Sequence, residues 1–243
     1  MKVLQILPQL NIGGVERGTL DLSKALIHKG HESFVISGGG ILVDELEQLG
    51  AKHYEIPVHI KSLRTLSLAK SLSETISSID PDIVHIRSRM PAWVNYRAFK
   101  MLQKKPLLVS TFHGLYSFPI YSKVMSFVDH SIAISKTVER YILENYKLDK
   151  NDITVIPRGC DPVEFNNDEI NPDDKAEIIN EFPQIVGKTV LTIPGRITKW
   201  KGVAEFIELL SLLDDNYHGL IVGPTAKSKK KYLNKLQNKV SSL

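Results

Sequence analysis

Cysteine is almost absent. The single Cys160 excludes an internal disulfide framework and any site built from several thiolates, and it suits a reducing compartment. No apolar run approaches the roughly 18 to 20 residues that a bilayer-spanning helix needs. The opening segment MKVLQILPQLNIGG holds one lysine and an apolar stretch broken by Gln5, Pro8, Gln9 and Asn11, a poor core for a secretory leader. These absences point to a cytoplasmic chain.

What is present is an ordinary globular balance, 42% hydrophobic and 24% charged over 243 residues, which excludes disordered, collagen-like and coiled-coil classes. The length exceeds the roughly 150 residues of a typical domain, so one large domain, or one domain with part of another, fits. The net charge of +4 conceals an uneven distribution. Residues 1–160 carry 20 Lys and Arg against 15 Asp and Glu, residues 161–224 carry 5 against 12, and residues 225–243 carry 6 Lys and no acid. The basic N-terminal portion and tail suit anionic partners such as phosphates, an acidic membrane surface or nucleic acid. For the tail, a solvated lysine-rich helix end accounts for the charge more simply.

Short β-branched runs alternate with amphipathic stretches, the pattern of βαβ units on a parallel sheet. Strands are expected at Val3–Leu7, Ser33–Ser37, Lys52–Ile56, Asp82–Ile86, Leu107–Thr111, His130–Ile134 and Ile153–Ile156. Helices are expected between them near Glu16–Lys29, Asp44–Leu49, Leu66–Ser78, Ala92–Gln103, Ile120–Phe127 and Lys136–Tyr146. Together they make one complete doubly wound domain over residues 1–157. Pro157-Arg158-Gly159 interrupts the pattern, and an acidic, Asn-rich stretch reads as a hinge over 158–172. A second alternation fills 173–243: helices near Asp173–Phe182, Val203–Leu213 and Lys229–Val240, with strands at Thr189–Pro194 and Gly219–Gly223. Two strands bury too little apolar surface for a complete domain of this class, so this half reads as unfinished.

Several motifs fall where such sheets bind ligands. Gly13-Gly14-x-x-x-Gly18 follows the first strand and opens a helix, where glycines let backbone N–H groups approach a phosphate or sugar hydroxyl. The spacing is not the dinucleotide fingerprint G-x-G-x-x-G, which weighs against a nicotinamide enzyme, and a tight structural turn explains the pair equally well. Thr111-Phe112-His113-Gly114 sets a histidine at the carboxyl end of a strand, the edge that faces the crevice, with Gly114 leaving it accessible. His85, inside an apolar run, reads instead as a hydrogen-bonded strand residue. Gly195-Arg196-Ile197-Thr198-Lys199-Trp200-Lys201-Gly202 concentrates cations where a strand meets a helix start. Positive charge there opposes the helix dipole unless an anion is bound, and a diphosphate fits. Arg87 and Arg89 repeat the theme after the fourth strand and suit an anionic acceptor, or else a solvated loop. Asp80-Pro81-Asp82 has the spacing of a metal-holding pair but lies where a strand begins, so no metal site is expected. The E-x7-E pairs Glu47…Glu55 and Glu169…Glu177 likewise fall outside the required strand-to-loop context.

Asn11-Ile12-Gly13-Gly14-Val15-Glu16-Arg17-Gly18, Thr111-Phe112-His113-Gly114, Val155-Ile156-Pro157-Arg158-Gly159-Cys160-Asp161 and Gly195-Arg196 with Lys201-Gly202 occur in that order. The set resembles the family 4 retaining glycosyltransferases of the GT-B fold, in particular bacterial members that build lipopolysaccharide or other surface glycans. The resemblance implies two Rossmann-like domains facing a cleft, an acceptor on the N-terminal side and a nucleotide-diphosphate sugar, uridine-linked, on the C-terminal side. By that analogy His113, Arg196 and Lys201 are catalytic, Gly13, Gly14, Gly195, Arg196, Lys201 and Gly223 bind the donor, and Arg87 and Arg89 bind the acceptor. It implies no metal, cofactor or nucleic-acid partner, and it allows peripheral contact with the inner face of an anionic membrane.

Two departures stand out. The family more often has Asn where Arg158 stands, which puts the local hinge contacts in question. It also continues into an E-x7-E pair holding the donor sugar and ribose, with no counterpart here. The expectation is therefore a truncated or split enzyme with little activity alone, associating with itself or with a missing C-terminal half. A non-catalytic acceptor-binding module and a sugar-nucleotide epimerase of the same architecture remain alternatives.

Overall fold

The computed structural model describes residues 1–60, 63–117, 119–163, 165–166, 170–225 and 229–242. The chain divides into two compact units, Met1–Gly159 and Cys160–Leu243.

Unit 1 alternates strands and helices: β1 (Lys2–Ile6), α1 (Gly14–His28), β2 (Glu32–Ser37), α2 (Val43–Gln48), β3 (Lys52–Glu55), α3 (Ala69–Ile79), β4 (Ile83–Ile86), α4 (Arg89–Phe99), β5 (Leu107–Phe112), α5 (Pro119–Ser122), β6 (His130–Ala133), α6 (Lys136–Asn145) and β7 (Ile153–Val155). All seven strands are parallel, in the order β3-β2-β1-β4-β5-β6-β7. Such a sheet is covered on both faces, and the strand period of two shows how. Leu4, Ile6, Phe34 and Ile36 pack with Leu72 and Ile76 of α3 and Ala92 and Ala98 of α4. Val35, one residue out of phase, packs with Leu20 of α1 and Leu46 of α2. Gln5 shares that second phase but is fully buried and polar.

Local chemistry moves some boundaries. α4 begins at Arg89, three residues ahead of the expected Ala92, with extended Ser88 as its N-cap. Pro91 is tolerated because N–H groups of the first helical turn have no intrahelical acceptor to lose. The helix expected at 120–127 divides into α5 and a 3-10 turn at Lys123–Ser126, and a 3-10 segment, Leu63–Leu68, precedes α3.

Unit 2 holds α7 (Pro172–Glu181), β8 (Thr189–Pro194), α8 (Val203–Leu210), β9 (Tyr217–Val222) and α9 (Lys230–Ser241). β8 and β9 pair in parallel from Thr189↔Tyr217 to Pro194↔Val222. Its buried centre is Val203, Ile207 and Leu236, with Ile193, Ile197 and Ile221 packed against it. Among the described residues no helix is long and apolar enough to cross a membrane.

Candidate functional site

Strand order in unit 1 reverses between β1 and β4, which share an edge in the register Gln5↔His85. Ligand crevices form at the carboxyl ends of strands at such a switch point. The segments leaving β1, β4 and β5 carry Gly13 and Gly14, Arg87, and His113.

Gly13, the extended residue before α1, has φ 173, and no side chain caps the helix. Gly14 is open, with no heavy atom within 4 Å of the position a Cβ would take. The loop is held from the side: Gly38 N–H donates to the Pro8 carbonyl (2.9 Å), Leu10 N–H to Gly39 (2.8 Å) and Leu42 N–H to Leu10 (2.9 Å). Gly38-Gly39-Gly40 directly after β2 is the sequence signal for this support.

Arg87 is only 5% exposed, so it is neither a solvated residue nor an open one. Its Nη1 donates to Gln5 Oε1 (2.7 Å), and its Nε has no hydrogen-bond partner among the described residues. Gln5 in turn donates from Nε2 to the Thr19 carbonyl (3.1 Å) and Ser23 Oγ (3.0 Å) on α1. The guanidinium is thereby tied to the helix that opens at Gly14. Burial, and secondly the charge of Arg158, lower the Arg87 pKa to about 10.

Arg158, which stands where an Asn was the expectation, folds onto this edge. Its Nη2 donates to the Gly14 carbonyl and its Nη1 approaches His113 Nδ1 at 3.4 Å. Gly18 makes room: a Cβ there would collide with Arg158 Nη2 and crowd Arg87 Nη2 at 3.3 Å. A guanidinium only donates, so His113 Nδ1 is the acceptor and the ring proton sits on Nε2. That Nε2 is buried without a partner among the described residues, although Gly114 was expected to leave the ring accessible. Burial first, then the charges of Arg87 and Arg158, push the His113 pKa down to about 3. His113 is therefore a neutral N–H donor, suited to a hydroxyl or anionic oxygen and unsuited to taking a proton. Its own backbone N–H donates to Tyr116 Oη (3.3 Å), which fixes the turn after β5.

Arg89 does not join this group. As the first residue of α4 it donates to the Ser117 carbonyl (3.0 Å) and Ser122 Oγ (3.3 Å), and its guanidinium lies 4.9 Å from the Tyr116 ring centre. Arg87 and Arg89 diverge because the helix begins between them, and it is Arg158 that lies beside Arg87 over Gly18. His85 is buried and bonded to Thr111 Oγ1 (2.7 Å), as its strand position implied. Asp80 pairs with Lys104 (2.7 Å) and Asp82 accepts from the Lys2 N–H (2.7 Å), both at the opposite end of the strands. Glu169, one member of the discounted E-x7-E pairs, lies outside the described residues.

In unit 2 the strand ends close tightly. Gly195 N–H donates to Val222 (2.8 Å) and Ile197 N–H to Pro224 (3.1 Å), and a Cβ on Gly223 would overlap the Gly195 carbonyl. Gly223 is thus required by backbone approach. The Lys201 stem lies over Gly195, its Cε 3.7 Å from where a Cβ would stand. Arg196 and Lys201 are exposed, and neither is in a side-chain ion pair among the described residues.

Residues 12–164 match the family model described as Glycosyltransferase Family 4. The chain belongs to that family. It is 32% identical over 148 residues to an uncharacterized glycosyltransferase of Methanocaldococcus jannaschii, a match covering 54% of this chain and 36% of the relative. A glycosyltransferase from Rickettsia africae superposes with a TM-score of 0.83 at 32% identity, over 99% of this chain and 65% of that one. HepE of Anabaena, solved with UDP and glucose, superposes with the same TM-score of 0.83 at 18% identity, over 100% of this chain and 66% of its own. The parallel seven-stranded unit with its flanking helices is the α/β architecture of the GT-B glycosyltransferases. The chain spans 36% to 38% of the curated relatives and about two thirds of these solved chains.

Proposed function

We propose that this chain serves transfer of a sugar from a nucleotide-diphosphate donor, uridine-linked, to a glycan or lipid-linked acceptor, with retention at the anomeric carbon, in the synthesis of surface polysaccharide or lipopolysaccharide. Family membership supports the reaction class, and HepE binding UDP and glucose supports the donor type. The carrying observation is the turn after β8, where Arg196 and Lys201 stand without anionic partners among the described residues, beside glycines that bring backbone close.

In the reaction the anomeric C–O bond to the diphosphate breaks and its electron pair leaves on the phosphate oxygen, while a bond forms to the acceptor oxygen. Arg196 and Lys201 neutralise the charge that grows on the leaving diphosphate, an electrostatic stabilisation that requires no metal. His113 donates from Nε2 to a hydroxyl of the transferring sugar. Gly13 and Gly14 admit the sugar or its phosphate close to the start of α1.

Calorimetric titration with UDP tests the reading. Replacing Arg196 and Lys201 together by Gln removes two charge-assisted contacts worth about 1.5 to 3 kcal/mol each, so affinity should fall at least tenfold. Unchanged UDP affinity in the double variant would overturn the assignment of this turn.

A further inference from the structure

We propose that the outer face of α4, with the turn beside it, is a docking surface for an anionic phospholipid bilayer. Charge is unevenly spread in this part of the chain. Residues 83–128 hold seven of the 31 Lys and Arg and none of the 27 Asp and Glu, so the remainder of the chain is net acidic. Lys104 is neutralised by Asp80 at the opposite end of the strands, and Arg87 is buried. Other cations of the segment gather on one side of unit 1. Arg89, Trp93, Tyr96, Arg97 and Lys100 recur along α4 at the spacing of one helix face, and the 3-10 turn Lys123–Ser126, followed by Phe127, lies alongside.

A row of aromatic rings runs along this face. Tyr121 stacks on Trp93 with ring centres 6.3 Å apart, Trp93 meets Tyr96 edge-on at 6.1 Å, and Tyr96 meets Phe127 at 5.3 Å. Trp93 Nε1 donates to the Tyr121 carbonyl (3.0 Å), so the indole does not depend on water for a partner. Cations, not carboxylates, flank the row: Lys100 Nζ lies 4.2 Å from the Tyr96 ring centre and Lys123 Nζ 6.0 Å from that of Phe127. Arg97, Lys100 and Lys123 are exposed, and none is in an ion pair among the described residues. Beside Tyr121, Ile120 is 90% exposed. The helix dipole accounts for Arg97 and Lys100 at the end of α4, but not for Lys123, the exposed isoleucine or the missing acids.

A lipid headgroup layer suits this combination. Ring bodies and Ile120 reach the acyl boundary, while ammonium and guanidinium groups on long stems stay among the phosphates. A second copy of the chain would set cation against cation, and a neutral protein would strip water from three charges without replacing it. An anionic bilayer supplies the counter-charge and leaves these groups wet. α4 opens at the carboxyl end of β4, so the Arg89 end of the surface adjoins the edge that carries His113. Its use in reaching a lipid-linked acceptor rests on the transferase reading; the bilayer contact does not.

The full chain is sedimented with vesicles of phosphatidylcholine alone and of an equimolar mixture with phosphatidylglycerol. It should bind the mixture, ignore the neutral vesicles and release as salt rises. Each cation near such a surface is worth roughly fivefold in partitioning, so Arg97→Gln/Lys100→Gln/Lys123→Gln, with folding checked by thermal melting, should weaken binding at least tenfold. The lysine-rich α9 is the competing source of charge, and Lys230→Gln/Lys231→Gln/Lys235→Gln should keep most of the affinity. In Trp200→Phe, which leaves Trp93 as the one tryptophan, lipid brominated on its acyl chains should quench the fluorescence on binding. No binding to either vesicle, as a surface for an acidic protein would give, overturns the proposal. So does equal binding to both vesicles, affinity lost with the α9 lysines but not with the α4 set, or an unquenched Trp93. Failure of UDP to bind would remove the transferase reading and leave the vesicle result standing.

Discussion

Gln5 shows how one side chain underpins the edge of unit 1. Lying between Leu4 and Ile6 in β1, it is fully buried, accepts from Arg87 and donates to Thr19 and Ser23. Gln5→Leu matches its bulk but strips a buried cation of its acceptor, so we expect a loss of about 2 to 4 kcal/mol, read as a lower urea midpoint at constant slope. His113 makes a prediction about pH. Folded, it stays neutral down to about 3, whereas a free histidine binds a proton near 6.5. Between those values the unfolded chain holds a proton that the folded chain refuses, so stability falls as pH drops through the window, by up to about 1.4 kcal/mol per pH unit. Above 6.5 the contribution is complete. His85, buried and also shifted down, acts in the same direction. In His113→Gln the difference in unfolding free energy between pH 7 and pH 5 should shrink by about 2 kcal/mol.

Among the elements, α1 and α6 separate stability from function. Ser135 caps α6 by accepting from the Val138 N–H (3.2 Å), so Ser135→Ala should cost about 1 kcal/mol, visible in thermal melting, and leave UDP affinity alone. Gly18→Ala should have the opposite effect on stability. Alanine gains up to about 1 kcal/mol of helix propensity over glycine, while its methyl displaces Arg158 from its seat, the far end of a flexible side chain. We expect a melting temperature equal to or above the parent's and a higher His113 pKa by NMR titration, because one of the positive charges beside the ring is removed. At this scale the sequence is readable: β8 spans the expected Thr189–Pro194, β2 and β4 differ by one residue at one end, and β1 is shifted by one residue at both ends. Period two in strands and the turn chemistry between them are local signals. The start of α4 was misread because Pro91 marks an early helical position as readily as the residue before a helix.

Across the whole molecule the two units differ in how much they bury. Unit 1 has two continuous cores, and β1 alone contributes fully buried Leu4, Gln5 and Ile6. Unit 2 centres on Val203, Ile207 and Leu236 and leaves Leu212 83% and Trp200 87% exposed. Opening free energy follows buried contact, so amides of β8 and β9 should exchange with deuterium well before those of β1, β4 and β5. Equal protection in the two units would contradict this.

The motif order marked the family, and the sheet class and the basic turn at 195–202 were legible because each rests on residues close together in the chain. The alliance of Gln5 with Arg87, 82 residues apart, and of Arg158 with the Gly14 carbonyl, 144 residues apart, was not. Strand order alone decides which loops share an edge, and it brings β1 against β4 only once the sheet is formed. Sequence periodicity therefore determined which residues face inward, whereas only the tertiary structure decided that a buried glutamine supports one arginine, that a small helix residue seats another, and that Arg89 lies against the Tyr116 ring.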